Sequence, residues 1–126
     1  TGVQTCALPI WQISVPSLKN PKIVSAGYQF TCALDDDGVN CWGMNAGQAE
    51  VPPLMNPKMI SAGGFHACAV DHDGVKCWGS NEQGQSTVPP LKNPKTVSAG
   101  RAHTCALDDD GVKCWGTLTP QKEVNE

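Results

Sequence analysis

Long apolar runs, long amphipathic segments and blocks of like charge are all missing from this sequence. No apolar stretch approaches the roughly 18 residues that a membrane-spanning helix needs, and no segment of about ten residues keeps helical apolar spacing. Basic residues are not clustered and the net charge is −3, so nothing favours binding to nucleic acid or insertion into a membrane. A basic segment followed by an apolar one is also missing, so the residues present predict no signal peptide.

Aromatic residues make up only 6% of the chain and charged residues 17%, whereas glycine (13) and proline (10) are frequent. This balance predicts many turns and short strands rather than long helices. The 126 residues suffice for one small domain with one core. No Gly-x-Ser-x-Gly, phosphate-binding loop or recurring carboxylate pair is present, so we expect no enzymatic activity and no cofactor.

One segment occurs three times, and most of the remaining chain connects the copies. Its clearest copy is 61–79, matched by 25–43 and 98–116. The tryptophans Trp42, Trp78 and Trp115 mark a period of 36 and then 37 residues. Periods in this range are typical of propellers, in which small sheets stack around an axis. We therefore expect these tryptophans to pack in the core between successive sheets.

Each copy predicts one sheet of three short antiparallel strands. In the middle copy the pattern predicts strands over 58–62, 66–70 and 74–78, with Asp71–Gly74 as a hairpin turn. Aspartate and glycine suit such a turn, so the acidic turns need no calcium-binding explanation. A single sheet of this size cannot bury both of its faces, so the copies must stack.

Six cysteines form pairs that are nine residues apart across a predicted hairpin. If the hairpin loop has an even number of residues, the two cysteines lie opposite each other with Cα atoms about 4.5 Å apart, within disulfide reach. A three-residue loop with a bulge would instead place them on opposite faces, and reduced core cysteines also remain open. Zinc and redox sites favour a Cys-x-x-Cys spacing that is not present. The disulfide interpretation predicts an extracellular, periplasmic or cell-surface location and the pairs Cys32–Cys41, Cys68–Cys77 and Cys105–Cys114.

The first ten residues differ from the repeats. Thr1–Ile10 resembles the translation of a common sequencing-library adapter, so we interpret 1–11 as an artefact and its junction. The alternative is that Thr5–Leu8 imitates the Thr-Cys-Ala-Leu of the repeats. Removing the artefact removes Cys6 and leaves two cysteines in each copy.

The segment 98–116 reads Ser-Ala-Gly-x-x-His-Thr-Cys-Ala-Leu-Asp-Asp-Asp-Gly-Val-Lys-Cys-Trp-Gly. It resembles the repeat of the regulator-of-chromosome-condensation family, which implies an all-β propeller with one three-stranded antiparallel sheet per blade. The short period and the connector 84–89 are similar to a bacterial branch that includes the propeller-type β-lactamase inhibitory proteins.

A complete propeller of this kind has seven blades and needs roughly 250 residues. The resemblance therefore implies that the chain is a fragment of about three blades, whose first partners are the further blades of a full-length chain. We expect a tail of a preceding blade (12–19), blade 1 (20–55), blade 2 (56–92) and blade 3 (93–126), the last with a degenerate end.

The copies differ most in the turn between their first two strands. Aromatic residues and arginine are frequent anchors of protein interfaces, and the resemblance implies that such loops form a partner-binding face. The alternative is that the residues of this turn vary between copies without having a function. His66 and His103 share a position with Phe30, so neither is expected to bind metal or catalyse. The predicted partner-binding residues are Tyr28, Gln29, Phe30, Gly64, Phe65, His66, Arg101, Ala102 and His103.

The leading hypothesis is a non-catalytic repeat module, part of a secreted or surface propeller, that binds a protein or another macromolecule. The founding family implies an alternative, a guanine-nucleotide-exchange or chromatin-type regulator. A third possibility is a recognition domain attached to an enzyme in a longer chain. Reduced cysteines and a basic patch would favour the second hypothesis, and the acidic balance does not.

Overall fold

The computed structural model describes residues 15–43 and 50–117. They form three separate antiparallel sheets, each with its strands in sequence order, and no helix that could cross a membrane occurs in these two ranges. The all-β prediction is confirmed, and the predicted strands of the middle copy are found to within one residue. The proposed artefact and the degenerate end fall in 1–14 and 118–126, outside the described residues.

The strands are β1 (Ile23–Ala26), β2 (Phe30–Asp35) and β3 (Gly38–Gly43) in blade 1, β4 (Met59–Ala62), β5 (His66–Asp71) and β6 (Gly74–Gly79) in blade 2, and β7 (Thr96–Ala99), β8 (His103–Asp108) and β9 (Gly111–Gly116) in blade 3.

The second and third strands of every blade form a hairpin with a two-residue loop. In blade 1, Asp35 pairs with Gly38, and this register places Cys32 directly opposite Cys41. Gly38 has φ +124°, a backbone conformation that glycine adopts without strain. The loop is thus the even-numbered one, and the three-residue alternative does not occur in the described hairpins. All three predicted disulfides form, each with its Cα atoms 4.0 Å apart.

The core lies between blades rather than inside one sheet. Strand alternation gives each blade two faces, which we call outgoing (toward the next blade) and incoming (toward the previous one). At the first junction the outgoing face of blade 1 packs Phe30, Cys32 and Leu34 against Ile60 and Trp78 of blade 2. At the second junction Cys68 and Val70 pack against Val97. The disulfides therefore lie on the outgoing faces, and Trp78 is buried in a junction as predicted.

The first aspartate of each hairpin turn is a buried structural group. In blade 3, Asp108 Oδ1 accepts the backbone N–H of Asp110 (2.9 Å), and its Oδ2 accepts the backbone N–H of Lys92 (2.8 Å). These charge-assisted bonds tie the hairpin to the connector that precedes the blade. Asp35 and Asp71 repeat the arrangement with the N–H groups of Lys19 and Met55.

The first strands of successive blades lie next to one another and are joined through a side chain. Ser25 Oγ accepts the backbone N–H of Ala62 (2.9 Å), and Ser61 Oγ accepts that of Ala99 (2.9 Å). The edge strands of blades 2 and 3 thereby find a hydrogen-bond partner that their own sheets do not supply. This explains why the Ser-Ala-Gly sequence recurs at the end of every first strand.

Candidate partner-binding mouth

The loops between the first and second strands of the three blades meet at one end of the structure. Together they line a concavity of about 880 Å³, which we call the mouth. Small residues form its floor, and three larger side chains, Tyr28, Phe65 and Arg101, come from equivalent or adjacent loop positions. The lining residues are Ala26, Gly27, Tyr28, Ala62, Gly63, Gly64, Phe65, Ala99, Gly100 and Arg101.

Glycine is required in these loops because neighbouring loops touch through their backbones. A Cβ atom at Gly63 would collide with the carbonyl oxygen of Gly100, and one at Gly27 would collide with that of Gly63. The same contacts carry hydrogen bonds, from Tyr28 N–H to Gly63 O (3.2 Å) and from Gly64 N–H to Gly100 O (3.0 Å). The mouth is therefore a preformed surface held by bonds between adjacent blades.

Two aromatic side chains stand at the mouth in direct contact. The rings of Tyr28 and Phe65 have centroids 5.5 Å apart and planes at 78°, an edge-to-face arrangement. The two residues are 60% and 40% exposed, respectively. An exposed aromatic pair on a rigid floor offers apolar area at small entropic cost, which suits an interface anchor.

Arg101 gives the mouth a positive charge that the described part of the chain does not neutralise. It is exposed, and no ion pair involves it within 15–43 and 50–117, whereas Lys76 and Lys113 pair with the aspartates of their own hairpins. Among the described residues, no acidic side chain lines the mouth. The aspartates sit at the other end of the second strand, six residues or about 17 Å away.

Burial corrects the predicted binding site at two positions. Phe30 is 2% exposed and His66 is fully buried, so the prediction that their side chains contact a partner is wrong. Both are the first residue of a second strand rather than part of the loop, and their rings support the glycine floor from behind. Gly64 is also buried, and Ala102 and His103 are half-buried. The exposed members of the predicted set are Tyr28, Gln29, Phe65 and Arg101.

His66 belongs to a hydrogen-bonded chain that crosses the junction between blades 2 and 3. Its Nε2 atom lies 2.8 Å from Thr104 Oγ1. Because the hydroxyl of Thr104 donates to the carbonyl of Gln85 (2.8 Å), we assign the imidazole proton to Nε2, which then donates to Thr104. Trp115 Nε1–H donates to the same carbonyl (2.9 Å). The Nδ1 atom has no hydrogen-bond partner in the described structure, and burial lowers the pKa of His66. The imidazole is therefore neutral and structural, without the exposure that an acid–base catalyst needs.

Sequence reasoning missed this network, although a signal was present. At the first junction the equivalent positions are Phe30 and Ala67, both apolar and both in the core. At the second they are His66 and Thr104, both polar. One position is the first residue of the second strand in one blade, and the other is the second residue of the second strand in the next blade. Both are apolar at the first junction and both are polar at the second, so aligning each copy with the following one would have indicated that they pair.

Metal binding finds no support in the described residues. Within 15–43 and 50–117 no group of three or more histidine, cysteine, aspartate or glutamate side chains is arranged to hold an ion. The six described cysteines form disulfides, and the first aspartate of each turn already accepts backbone N–H groups with both carboxylate oxygens.

Comparisons with known proteins agree with this architecture. The model of the Regulator of chromosome condensation (RCC1) repeat matches 22–48, 60–85 and 95–117, more than half of the chain. No curated protein sequence matches.

Among solved structures, the CRINKLY WD40 ectodomain of the Arabidopsis thaliana receptor kinase ACR4 is 30% identical, with a TM-score of 0.65 over 79% of this chain and 37% of that one. The ectodomain of the Physcomitrella patens receptor kinase CR4 is 25% identical, with a TM-score of 0.65 over 79% and 34%.

A third similar structure shows the fold alone. Prp20p from Saccharomyces cerevisiae, described with its binding properties to Gsp1p and histones, is 21% identical, with a TM-score of 0.70 over 92% of this chain and 36% of that one. The present chain spans little more than a third of the length of each of these structures.

Proposed function

The chain belongs to the regulator of chromosome condensation (RCC1) repeat family, and from this premise we propose that it is a non-catalytic module that binds a protein partner at the mouth. One observation carries the proposal: loops from three blades converge on a single concavity with an exposed aromatic pair and an unneutralised arginine. Aromatic and arginine side chains of this kind provide most of the energy of protein interfaces. The repeats act as the scaffold, and the loops act as the contact surface.

We further propose that the module works in an oxidising compartment, outside the cell, in a periplasm or on a cell surface. Two of the three disulfides, Cys32–Cys41 and Cys68–Cys77, lie at the junctions between blades, where reduction would disturb the packing. Two similar structures are receptor-kinase ectodomains, which supports the same location. The exchange-factor alternative has no comparable support, because the likeness to Prp20p is one of fold and the net charge of the chain is −3.

A binding selection tests the proposed surface. The immobilised chain is used to select binders from a displayed protein-loop library, and each binder is measured against a variant with Tyr28→Ala, Phe65→Ala and Arg101→Ala. A matched control carries Met55→Ala and Lys92→Ala, two substitutions at the opposite end of the blades. We expect most binders to lose about thirtyfold or more in affinity for the mouth variant, the loss that a hot-spot cost of about 2 kcal/mol produces.

The control determines what the loss means. Binders should retain their affinity for the Met55/Lys92 variant, and both variants should keep their circular dichroism spectra and melting temperatures. Binders that hold the mouth variant as tightly as the original chain, or that depend on Met55 and Lys92, would place the interface elsewhere and contradict the proposal.

A further inference from the structure

The hairpin end of the blades, opposite the mouth, has an open groove of about 470 Å³ at each of the two junctions between blades. The first groove lies between the hairpin turn 35–38 of blade 1 and the connector 51–57. The second groove lies between the hairpin turn 71–74 of blade 2 and the connector 91–95. Both grooves lie between blades that the structure describes, and the first one remains open although blade 3 follows. The grooves therefore belong to the repeated junction itself.

A lysine and a turn residue are held in equivalent backbone positions in every blade. The lysines Lys22, Lys58 and Lys95 each donate their backbone N–H to the second strand of their own blade at 2.8 Å. The second residue of each hairpin turn donates its backbone N–H to the preceding connector at 2.8–2.9 Å. This turn residue is aspartate in blades 1 and 3 and histidine in blade 2, at Asp36, Asp109 and His72.

In blades 1 and 3 these two equivalent side chains form an ion pair. The distances between the ammonium nitrogen and the carboxylate oxygen are 2.8 Å for Lys22–Asp36 and 3.0 Å for Lys95–Asp109. Blade 2 has His72 in place of the aspartate, and no ion pair within 15–43 and 50–117 involves Lys58. Both side chains are exposed. The position that a carboxylate occupies in the other two blades is therefore accessible to a carboxylate from another molecule.

The other charges that line the second groove are already paired. Lys76 lies 3.2 Å from Asp71 and 3.8 Å from Asp73, the two carboxylates of the groove. Lys95 pairs with a carboxylate of blade 3. Among the described residues that line this groove, Lys58 is thus the charged group without a counterion.

The first groove has a different charge balance. Its lysine, Lys22, is paired, and Asn40 takes the place that Lys76 has in blade 2. In the described part of the chain no ion pair involves Asp37, which also lines this groove. The two grooves therefore have the same construction but opposite unpaired charges, and an acidic ligand fits the second one.

We propose that the second groove is a docking site for an acidic segment of a partner protein, with a carboxylate of that segment bound by Lys58 next to His72. The ion pairs of blades 1 and 3 show where this carboxylate lies. An exposed ion pair contributes little by itself, so the segment also needs an aliphatic side chain beside its carboxylate, which packs on the apolar residues of the groove. These residues are Val70, Leu91 and Pro94. The site lies at the opposite end of the blades from the mouth and does not depend on the function proposed there.

The lining of the second groove favours a protein segment over a nucleic acid. Nucleic acids present closely spaced phosphates and are held by several cationic contacts, whereas this groove offers one lysine without a counterion beside two carboxylates. A protein segment can place one carboxylate at Lys58 and uncharged residues near Asp71 and Asp73.

Chemical-shift mapping by nuclear magnetic resonance tests the site in the full chain. The isotope-labelled protein is titrated with a peptide of Gly-Asp-Leu repeats, and a peptide of Gly-Asn-Leu repeats is the uncharged control. We expect saturable shifts of the amide signals near Lys58, His72 and Leu91, and severalfold weaker binding of the control peptide. The affinity for the acidic peptide should fall as the salt concentration rises, because salt screens the exposed lysine.

Two variants of blade 2 should lose this binding for different reasons. Lys58→Ala removes the ammonium group, whereas His72→Asp supplies the internal carboxylate and recreates the ion pair of blades 1 and 3. Each should weaken binding of the acidic peptide severalfold. Lys22→Ala is the matched control, because Lys22 is already paired with Asp36, and it should leave the affinity unchanged.

A transfer of the site to the first groove gives the sharpest result. Combining Asp36→His with Asn40→Lys removes the internal partner of Lys22 and supplies Asp37 with a lysine, as in blade 2. This variant should bind the acidic peptide at both grooves, with new shifts of the amide signals near Lys22.

Several outcomes would overturn the proposal. They are the absence of saturable shifts at the second groove, equal binding of the two peptides, full binding by the Lys58→Ala or His72→Asp variant, and no new site in the transfer variant. Shifts confined to Phe65 and Arg101 would assign the acidic segment to the mouth instead. Tighter binding of an oligothymidylate at the second groove would assign the groove to nucleic acid. Amide spectra that are unchanged away from each substitution establish that a loss of binding does not result from unfolding.

Discussion

The carboxylate of Asp108 accepts the backbone N–H of Lys92 at 2.8 Å, although the two residues are 16 positions apart. Its side chain has no exposed surface, so this turn aspartate acts as an anchor between hairpin and connector rather than as a surface charge. The arrangement recurs in all three blades with the same atoms. It makes several predictions about stability possible.

Asp108→Asn should lower the melting temperature by several degrees. The amide keeps one acceptor oxygen but turns an NH2 group toward a backbone N–H, so one of the two anchoring bonds is lost. Asp109→Asn is the matched control, because Asp109 makes only an exposed ion pair with Lys95 and such pairs contribute little. Thermal unfolding followed by circular dichroism measures both variants, and equal effects of the two would argue against the anchor.

The same carboxylates predict a loss of stability in acid. The N–H of Lys92 is the main reason that the pKa of Asp108 is lowered to about 2, and the N–H of Lys19 similarly lowers the pKa of Asp35. Burial alone would raise the pKa of Asp71, but the N–H of Met55 and the ammonium of Lys76 outweigh it. Because the unfolded chain binds protons near pH 3.9, the stabilisation is complete above about pH 4 and is lost as the pH falls toward about 2.

Urea midpoints measured from pH 6 to pH 2 test this expectation. The midpoint should fall most steeply between about pH 4 and pH 2, and the fall should be smaller for Asp108→Asn than for the parent chain. A midpoint that stays constant across this interval would mean that the carboxylates are not held in their charged form.

Thr104→Ala should destabilise the fold by about 1–3 kcal/mol, because it leaves the buried Nε2–H of His66 without its acceptor. Combining it with His66→Phe recreates the apolar pair of the first junction, Phe30 and Ala67, and should recover most of the lost stability.

Burial lowers the pKa of His66, so the parent should lose stability as the pH falls below about 6.5, the pKa of histidine in the unfolded chain. The double variant should lack this dependence, and chemical denaturation at pH 5 and pH 8 distinguishes the two proteins.

Each disulfide should contribute separately to stability, because each one closes the hairpin of a single blade. Replacing Cys68 and Cys77 by alanine should cost about 2–3 kcal/mol, the value expected for closing a short loop. Titration with a thiol reagent should find the six paired cysteines unreactive before reduction and reactive afterwards. Six reactive thiols in the untreated chain, leaving Cys6 aside, would contradict both the disulfides and the proposed oxidising location.

Local patterns were enough to predict the blades. The Asp/Gly turn predicts the hairpin but left its loop length open, and the two-residue loop of the structure then places Cys32 opposite Cys41. These features depend on residues close together in the chain, where turn chemistry and strand alternation act directly. The expectation of a partner-binding face came instead from the family resemblance, and the equivalent loops of the stacked copies do meet at one end.

Contacts between copies could not be predicted in the same way. The partner of His66 lies 38 residues away in the next blade, and no local pattern specifies it. Phe30 and His66 were placed at the partner-binding surface because they follow the variable turn, yet each begins a second strand and points into a junction. Likewise, aspartate is usually exposed, and only the connector folding back over Asp108 buries it.

The serine hydroxyls on the first strands have a consequence for aggregation. A strand at the edge of a sheet offers free N–H groups to any foreign strand and can seed fibrils. Ser25 and Ser61 occupy one such N–H in the following blade, which blocks sheet extension at that point and adds to the protection from the Pro-Lys pair before each first strand. A further repeat is therefore expected to stack on the face of a blade rather than to extend its sheet. The number of repeats can then increase during evolution without creating an edge strand that is prone to form amyloid.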